Sequence, residues 1–216
     1  MRHMTAGLAA TILATAAPAA AADDSFEFWL NPSVSVDLDD DTGLELETAQ
    51  RFRNSANGAD TYFARLWVNQ SVARGVSVAG AVEQRINNGG SDETRLMQQL
   101  SLRNGFLRGR LRLEQRFVEN ADRTGWRIRP RVGVAVPLDQ DGRWGMRADV
   151  EAFVTLQPTS IGGQDGLTGI RTQLGVSRDI NDRLTIGLTY LRQQDIRRGG
   201  PDTVGHAPLI GIELAL

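Results

Sequence analysis

The stretch that most constrains this chain is Leu107–Phe117, Leu-Arg-Gly-Arg-Leu-Arg-Leu-Glu-Gln-Arg-Phe. Every second residue is charged: Arg108, Arg110, Arg112, Glu114 and Arg116. Most residues between them are apolar, with Leu107, Leu111, Leu113 and Phe117 on the opposite parity. Strict alternation over this length is the period of a β-strand, whose successive side chains point to opposite faces. One face is oily and the other is a ladder of guanidinium groups. Such a ladder requires water or acidic partners, because an unpaired buried charge is very costly. Both requirements are met if the arginines line the interior of a water-filled or ion-paired barrel and the leucines face lipid.

From Phe26 onward the same pattern recurs as strand, turn, strand. Strands are expected near 26–38, 43–53, 61–72, 75–86, 93–103, 107–118, 125–137, 143–155, 167–178, 183–193 and 204–216. The turns alternate in length. Ala73–Gly75, Asn104-Gly105, Leu138–Gly142 and Asp179–Asp182 are tight. Asn54–Asp60, Asn87–Asp92, Glu119–Thr124, Gln157–Gly166 and Arg197–Thr203 are longer and mostly rich in Gly, Asn or Asp. Short turns at one end and long loops at the other describe an outer-membrane barrel, with the short turns periplasmic. Strands of about eleven residues, rising about 3.3 Å each and tilted near 40°, cover roughly 28 Å, close to the apolar band of such barrels. Aromatics on the apolar parity sit near strand ends: Phe52, Tyr62, Phe117 and Trp126 beside long loops, Phe106 and Trp144 beside short turns. That placement matches the two aromatic girdles of a bilayer-spanning barrel.

The first residues support export. Arg2 precedes the apolar run Ala6–Ala17, and Ala20-Ala21-Ala22 stands before Asp23, as in a cleaved secretory signal peptide over 1–22 followed by a single barrel domain over 23–216. Removing residues 1–22 takes Arg2 from the 24 basic residues and none of the 26 acids, leaving a net charge of −3. So small a charge argues against a nucleic-acid partner. Past residue 22 no stretch approaches the roughly 20 apolar residues of a transmembrane helix. The chain has no cysteine, and its cations are all arginine.

The expected fold is thus an all-β, transmembrane, antiparallel up-and-down barrel. Single-chain bacterial barrels have even strand numbers, whereas eleven segments are legible, and two readings reconcile them. In the preferred one, Asn31-Pro32-Ser33 forms a turn that splits the first segment, because proline cannot donate to a ladder; the barrel then has 12 strands. In the alternative, residues 23–42 plug a barrel of 10.

The chemistry is sparse. With no cysteine, and only His206 left once His3 departs with the leader, no metal site or cofactor is expected. The acidic run Asp39-Asp40-Asp41 reads as a solvated turn, lacking the spaced ligands of a calcium loop. Candidate interior residues are Arg108, Arg110, Arg112, Glu114 and Arg116, with Arg127, Arg129, Arg131, Arg147, Asp149, Glu151 and Arg171. They form either an ion-pair network that fills the lumen or an electropositive constriction, since arginine rings mark anion-selective pores. The leading functional reading is a non-enzymatic structural barrel or narrow pore for small anionic solutes. A lipid-modifying enzyme centred on His206 is the runner-up, although no serine is evident on a strand beside it. A soluble periplasmic binding barrel, with the apolar face inside, ranks third.

Two resemblances add to this. The end of the chain, Ile210-Gly211-Ile212-Glu213-Leu214-Ala215-Leu216, resembles the C-terminal signal that delivers outer-membrane barrels to their insertion machinery, with Leu216 where an aromatic is commoner. A set of short motifs runs in order along the chain. These are Trp29, Glu93-Thr94-Arg95 before Gln98-Gln99-Leu100, Leu113–Phe117, Glu151-Ala152-Phe153, Arg171 before Gly175, Gly187 to Tyr190, and His206. Together they resemble a bacterial outer-membrane barrel family, domain of unknown function 2490. The resemblance implies an outer-membrane location, contact with outer-membrane lipid and the barrel architecture, and carries no catalytic residues.

Overall fold

The computed structural model describes residues 23–53 and 60–216. The expected leader lies outside these residues. Eleven strands follow one another: β1 (Asp23–Asp37), β2 (Thr42–Arg53), β3 (Thr61–Ala73), β4 (Val76–Asn87), β5 (Glu93–Asn104) and β6 (Leu107–Val118). β7 (Gly125–Pro137), β8 (Trp144–Gln157), β9 (Gly166–Asp179), β10 (Leu184–Asp195) and β11 (Thr203–Ala215) complete the wall. Each pairs antiparallel with its sequence neighbour, and β1 closes the barrel against β11.

That closing pair is parallel, from Asp23 opposite Thr203 to Ser35 opposite Ala215. An odd number of strands in a meander requires this, because the first and last strands then run in the same direction. The expectations of 12 strands, and of 10 with an internal plug, are both corrected: Asp23–Asp37 is one continuous wall strand. Pro32 does not turn the chain. Its missing N–H is accommodated on one side only. The β1–β2 ladder skips from Leu30 opposite Gln50 to Ser33 opposite Glu47, while the β1–β11 ladder is continuous from Trp29 opposite Leu209 through Pro32 opposite Ile212 to Ser35 opposite Ala215. The seam is also packed from inside, where Trp29 of β1 meets Leu191 of β10 and Ala207 and Leu209 of β11 in a buried apolar cluster.

The loop alternation fits the local chemistry. Two-residue turns join β3 to β4 through Arg74-Gly75 and β5 to β6 through Gly105-Phe106. Their glycines adopt positive φ, 74° and 56°, which side chains rarely tolerate in such hairpins. A Cβ on Gly75 would lie 2.2 Å from the Arg103 carbonyl oxygen. In the β1–β2 turn the Asp39 carboxylate accepts hydrogen bonds from the backbone N–H groups of Asp41 (2.9 Å) and Thr42 (2.7 Å). These hold its pKa below the ordinary value and explain the acidic run as turn chemistry.

The two parities separate cleanly. Leu46, Leu66, Val82, Leu100, Leu111, Val132, Leu174 and Leu188 are all exposed on the outer surface. Phe52, Phe106, Phe117 and Trp144 are exposed near strand ends. Charged side chains are buried on the inner surface, the reverse of a soluble barrel with an apolar interior.

Candidate functional site: the charged interior

Strand register assembles the interior. Glu83 on β4 stands opposite Arg65 on β3 and Arg95 on β5. Glu114 on β6 faces Arg127 on β7, and Glu151 on β8 lies between Arg131 on β7 and Arg171 on β9. Direct cross-strand neighbours have Cβ atoms about 5 Å apart, within reach of a glutamate and an arginine. Each of the three glutamates has a relative exposure of 0% and is surrounded by guanidinium groups.

Glu83 accepts hydrogen bonds from Arg65 Nε at 2.9 Å and from Arg85 Nε and Nη2 at 3.1 and 2.8 Å, with Arg95 Nη1 at 3.5 Å. Glu114 accepts from Arg127 Nε at 2.9 Å and from Arg129 Nη1 at 2.6 Å. Glu151 accepts from Arg129 Nε and Nη2 at 3.1 and 2.8 Å, from Arg131 Nη2 at 3.2 Å, and from Arg110 Nη2. Arg129 therefore ties Glu114 to Glu151 and joins β6, β7 and β8 from inside. Toward the long-loop end Glu93 accepts from both Arg95 and Arg116. A buried charge is tolerated only when its remaining hydrogen-bonding capacity is satisfied, and these forks meet that condition.

The twelve candidates do not share one environment. Arg112, Glu114, Arg129, Glu151 and Arg171 are buried, and Arg110, Arg116, Arg127, Arg131 and Asp149 are half-buried around them. Arg131 Nε lies 3.5 Å from Asp149. Arg147 is exposed at the short-turn end, donating to Thr189 Oγ1 at 3.2 Å. Arg108 stays at the mouth, where Nη1 donates to the Gly105 and Leu107 carbonyl oxygens, outside the network.

Four inward aromatics, Trp29, Phe63, Trp67 and Phe153, complete the interior. Arginines lie over every one of them. Arg112 sits over Trp67 (4.8 Å to the ring centroid), Arg65 over Trp67 and Phe63, and Arg51 over Phe63 and Trp29 (3.8 Å). Arg171 sits over Trp29 and Phe153, and Arg129 over Phe153. The Arg112–Trp67 contact joins β6 to β3, and the Arg171–Trp29 contact joins β9 to β1, so the array spans the interior. Sequence reasoning named Trp29 and Phe153 only within the family motifs and assigned no aromatic to the interior. The missed signal was parity itself: Phe63 and Trp67 alternate with Arg65, and Phe153 with Glu151.

His206 lies on the outer wall. The Tyr190 hydroxyl and His206 Nδ1 share a hydrogen bond of 2.5 Å, the rings stack at 6.0 Å, and Nε2 is 3.9 Å from Asp24. The hydrogen-bonding and ionic partners of this imidazole are thus a phenol and a carboxylate, while Arg192 and Phe26 stand opposite it on β10 and β1. Among the described residues no group of three or more metal-ligating side chains gathers.

Two comparisons bear on identity. The chain is 27% identical over 207 residues to an uncharacterised protein of Methylorubrum extorquens, covering 89% of this chain and 90% of that one. Residues 26–204 match the family described as "Protein of unknown function (DUF2490)". That match runs from β1 into β11, across every strand that builds the charged interior, and the chain belongs to the DUF2490 family of proteins of unknown function.

Proposed function

We propose that this chain spans the bacterial outer membrane as a non-enzymatic barrel, exported with a cleaved leader and inserted through its C-terminal strand, and that its interior passes small anions along a narrow path. The observation that carries the reading is the sorting of the wall: exposed aliphatics cover the outside while the arginine–glutamate network sits inside. A closed barrel leaves no strand edge for lipid to meet, and an apolar outer belt is what hydrocarbon solvates. The interior supports narrowness. Contacts from β6 to β3 and from β9 to β1 cross it, which suits a constriction better than a wide channel. Its excess of arginine favours anions.

Fractionation and reconstitution test this together. The protein is expected in the outer-membrane fraction, heat-modifiable on gels. In planar bilayers it is expected to show small conductance steps with a reversal potential set by chloride. Recovery in the soluble periplasm overturns the membrane reading, and cation selectivity overturns the anion path. Ester hydrolysis by the wild type but not by His206→Ala would establish the enzyme instead.

A further inference from the structure

The interior holds more arginines than its carboxylates can pair. A central cavity of about 380 Å³ is lined by eleven arginines and three glutamates. Counting also Glu83, Glu93, Glu114, Glu151 and Asp149, which pair with those arginines, brings the acids to eight and leaves three cations in excess.

Register shows where the excess lies. Arg51 has Trp29 on one side and Thr61 on the other, so neither position directly opposite it is an acid, and Glu27 on β1 is engaged by Arg53 and Trp29. Its guanidinium makes no hydrogen bond or ion pair among the described residues, and its Nε is buried without a partner. Arg112 lies between Gln99 and Arg129. It is only 6% exposed, and its Nε and Nη2 donate to the neutral Gln99 Oε1 at 3.0 and 2.7 Å. Arg171 donates to Gln193 Oε1 and stands 3.8 Å from Glu151, which three other arginines already share.

All three lie over aromatic rings: Cζ of Arg51 and of Arg171 is 3.8 and 5.2 Å from the Trp29 centroid, and that of Arg112 is 4.8 Å from the Trp67 centroid. A cation–π contact acts through the ring's quadrupole and forms no N–H···O hydrogen bond. Aromatic contacts therefore fix these cations without consuming their donors. On the wall of the same cavity Asn31 Oδ1 and Gln173 Oε1 are also buried without partners, ready to accept from a hydroxyl. Of the lining glutamates, Glu47 is engaged by Arg65 and Trp67, while Glu45 and Glu213 lie near the short-turn ends of β2 and β11.

We propose that this cavity is a binding site for a small polyvalent oxyanion, a phosphate or a short dicarboxylate, held by Arg51, Arg112 and Arg171. Guanidinium forks match such groups bidentately. The site deepens the anion-path reading by making the path saturable.

The test is calorimetric titration of the purified, detergent-solubilised barrel with inorganic phosphate and, separately, succinate, in chloride buffer. Saturable binding of at least one anion is expected, weakened about tenfold or more by Arg51→Gln and by Arg112→Gln. Thermal unfolding of both ligand-free variants is expected to be unchanged or raised, because neither substitution strands a carboxylate. Binding of phosphate alone assigns a tetrahedral oxyanion, and of succinate alone a dicarboxylate. Absence of saturable binding by both anions, binding indifferent to both substitutions, or loss of stability in both variants overturns the site. A heat-modifiable, membrane-inserted barrel that binds neither anion refutes this inference alone, whereas soluble recovery refutes the membrane reading.

Discussion

At the scale of single residues, partner number separates the interior arginines. Arg129 serves two glutamates that have no access to water, whereas Arg112 serves a neutral amide. Removing one member of a buried ion pair leaves an uncompensated charge and costs about 3–5 kcal/mol. Arg129→Gln is therefore expected to destabilise the barrel by about that amount. Urea unfolding in lipid vesicles, followed by tryptophan fluorescence, measures it, and a loss below that of Arg112→Gln would contradict the assigned pairing. The four buried tryptophan and phenylalanine side chains explain why arginine, with no lysine in the chain, suits this interior: the Arg129 guanidinium lies over the Phe153 ring and forks to the Glu151 carboxylate at once. An ammonium group offers neither geometry.

At the scale of elements, β1 is the strand on which the architecture turns. With β11 it forms the one parallel pair of the barrel, and it carries Pro32 in mid-strand. Parallel register makes a sharp prediction, because Phe26 faces His206 and Val34 faces Leu214 at one constant offset. In this cysteine-free chain, the pairs Phe26→Cys with His206→Cys and Val34→Cys with Leu214→Cys are both expected to react with a short bifunctional thiol crosslinker. An antiparallel closure permits only one of the two. Crosslinking of a single pair, read by gel mobility, would therefore refute the eleven-strand closure.

At the scale of the whole molecule, the outer belt and the charged interior are two faces of the same eleven strands, so a substitution acts according to its parity. Leu111 is 49% exposed on the outside, next in sequence to buried Arg112. On the membrane reading, Leu111→Arg places a cation against hydrocarbon, at a cost of about 2–4 kcal/mol near the midplane. Its insertion into vesicles, scored by heat-modifiability, is expected to fall well below that of Arg112→Leu. The opposite order would put the apolar face inside. Wall and network also depend on each other, because Glu83, Glu114 and Glu151 find arginines on flanking strands only once every register is set.

The sequence by itself determined the strands, their two-faced character and the alternation of short turns with long loops. Period-2 patterning and turn residues are local signals, legible without any partner strand. Leu107–Val118 runs where the alternation placed it, and the glycines of Arg74-Gly75 and Gly105-Phe106 mark their hairpins. What only the tertiary structure decided was closure and pairing. Pro32 reads locally as a break. Its missing donor proved tolerable because the gap falls on the β2 side, while the β11 ladder and the Trp29–Leu209 packing hold the strand straight. Which arginine meets which glutamate depends on register between strands, a non-local quantity that places Glu151 among four arginines and leaves Arg51 with none of the acids.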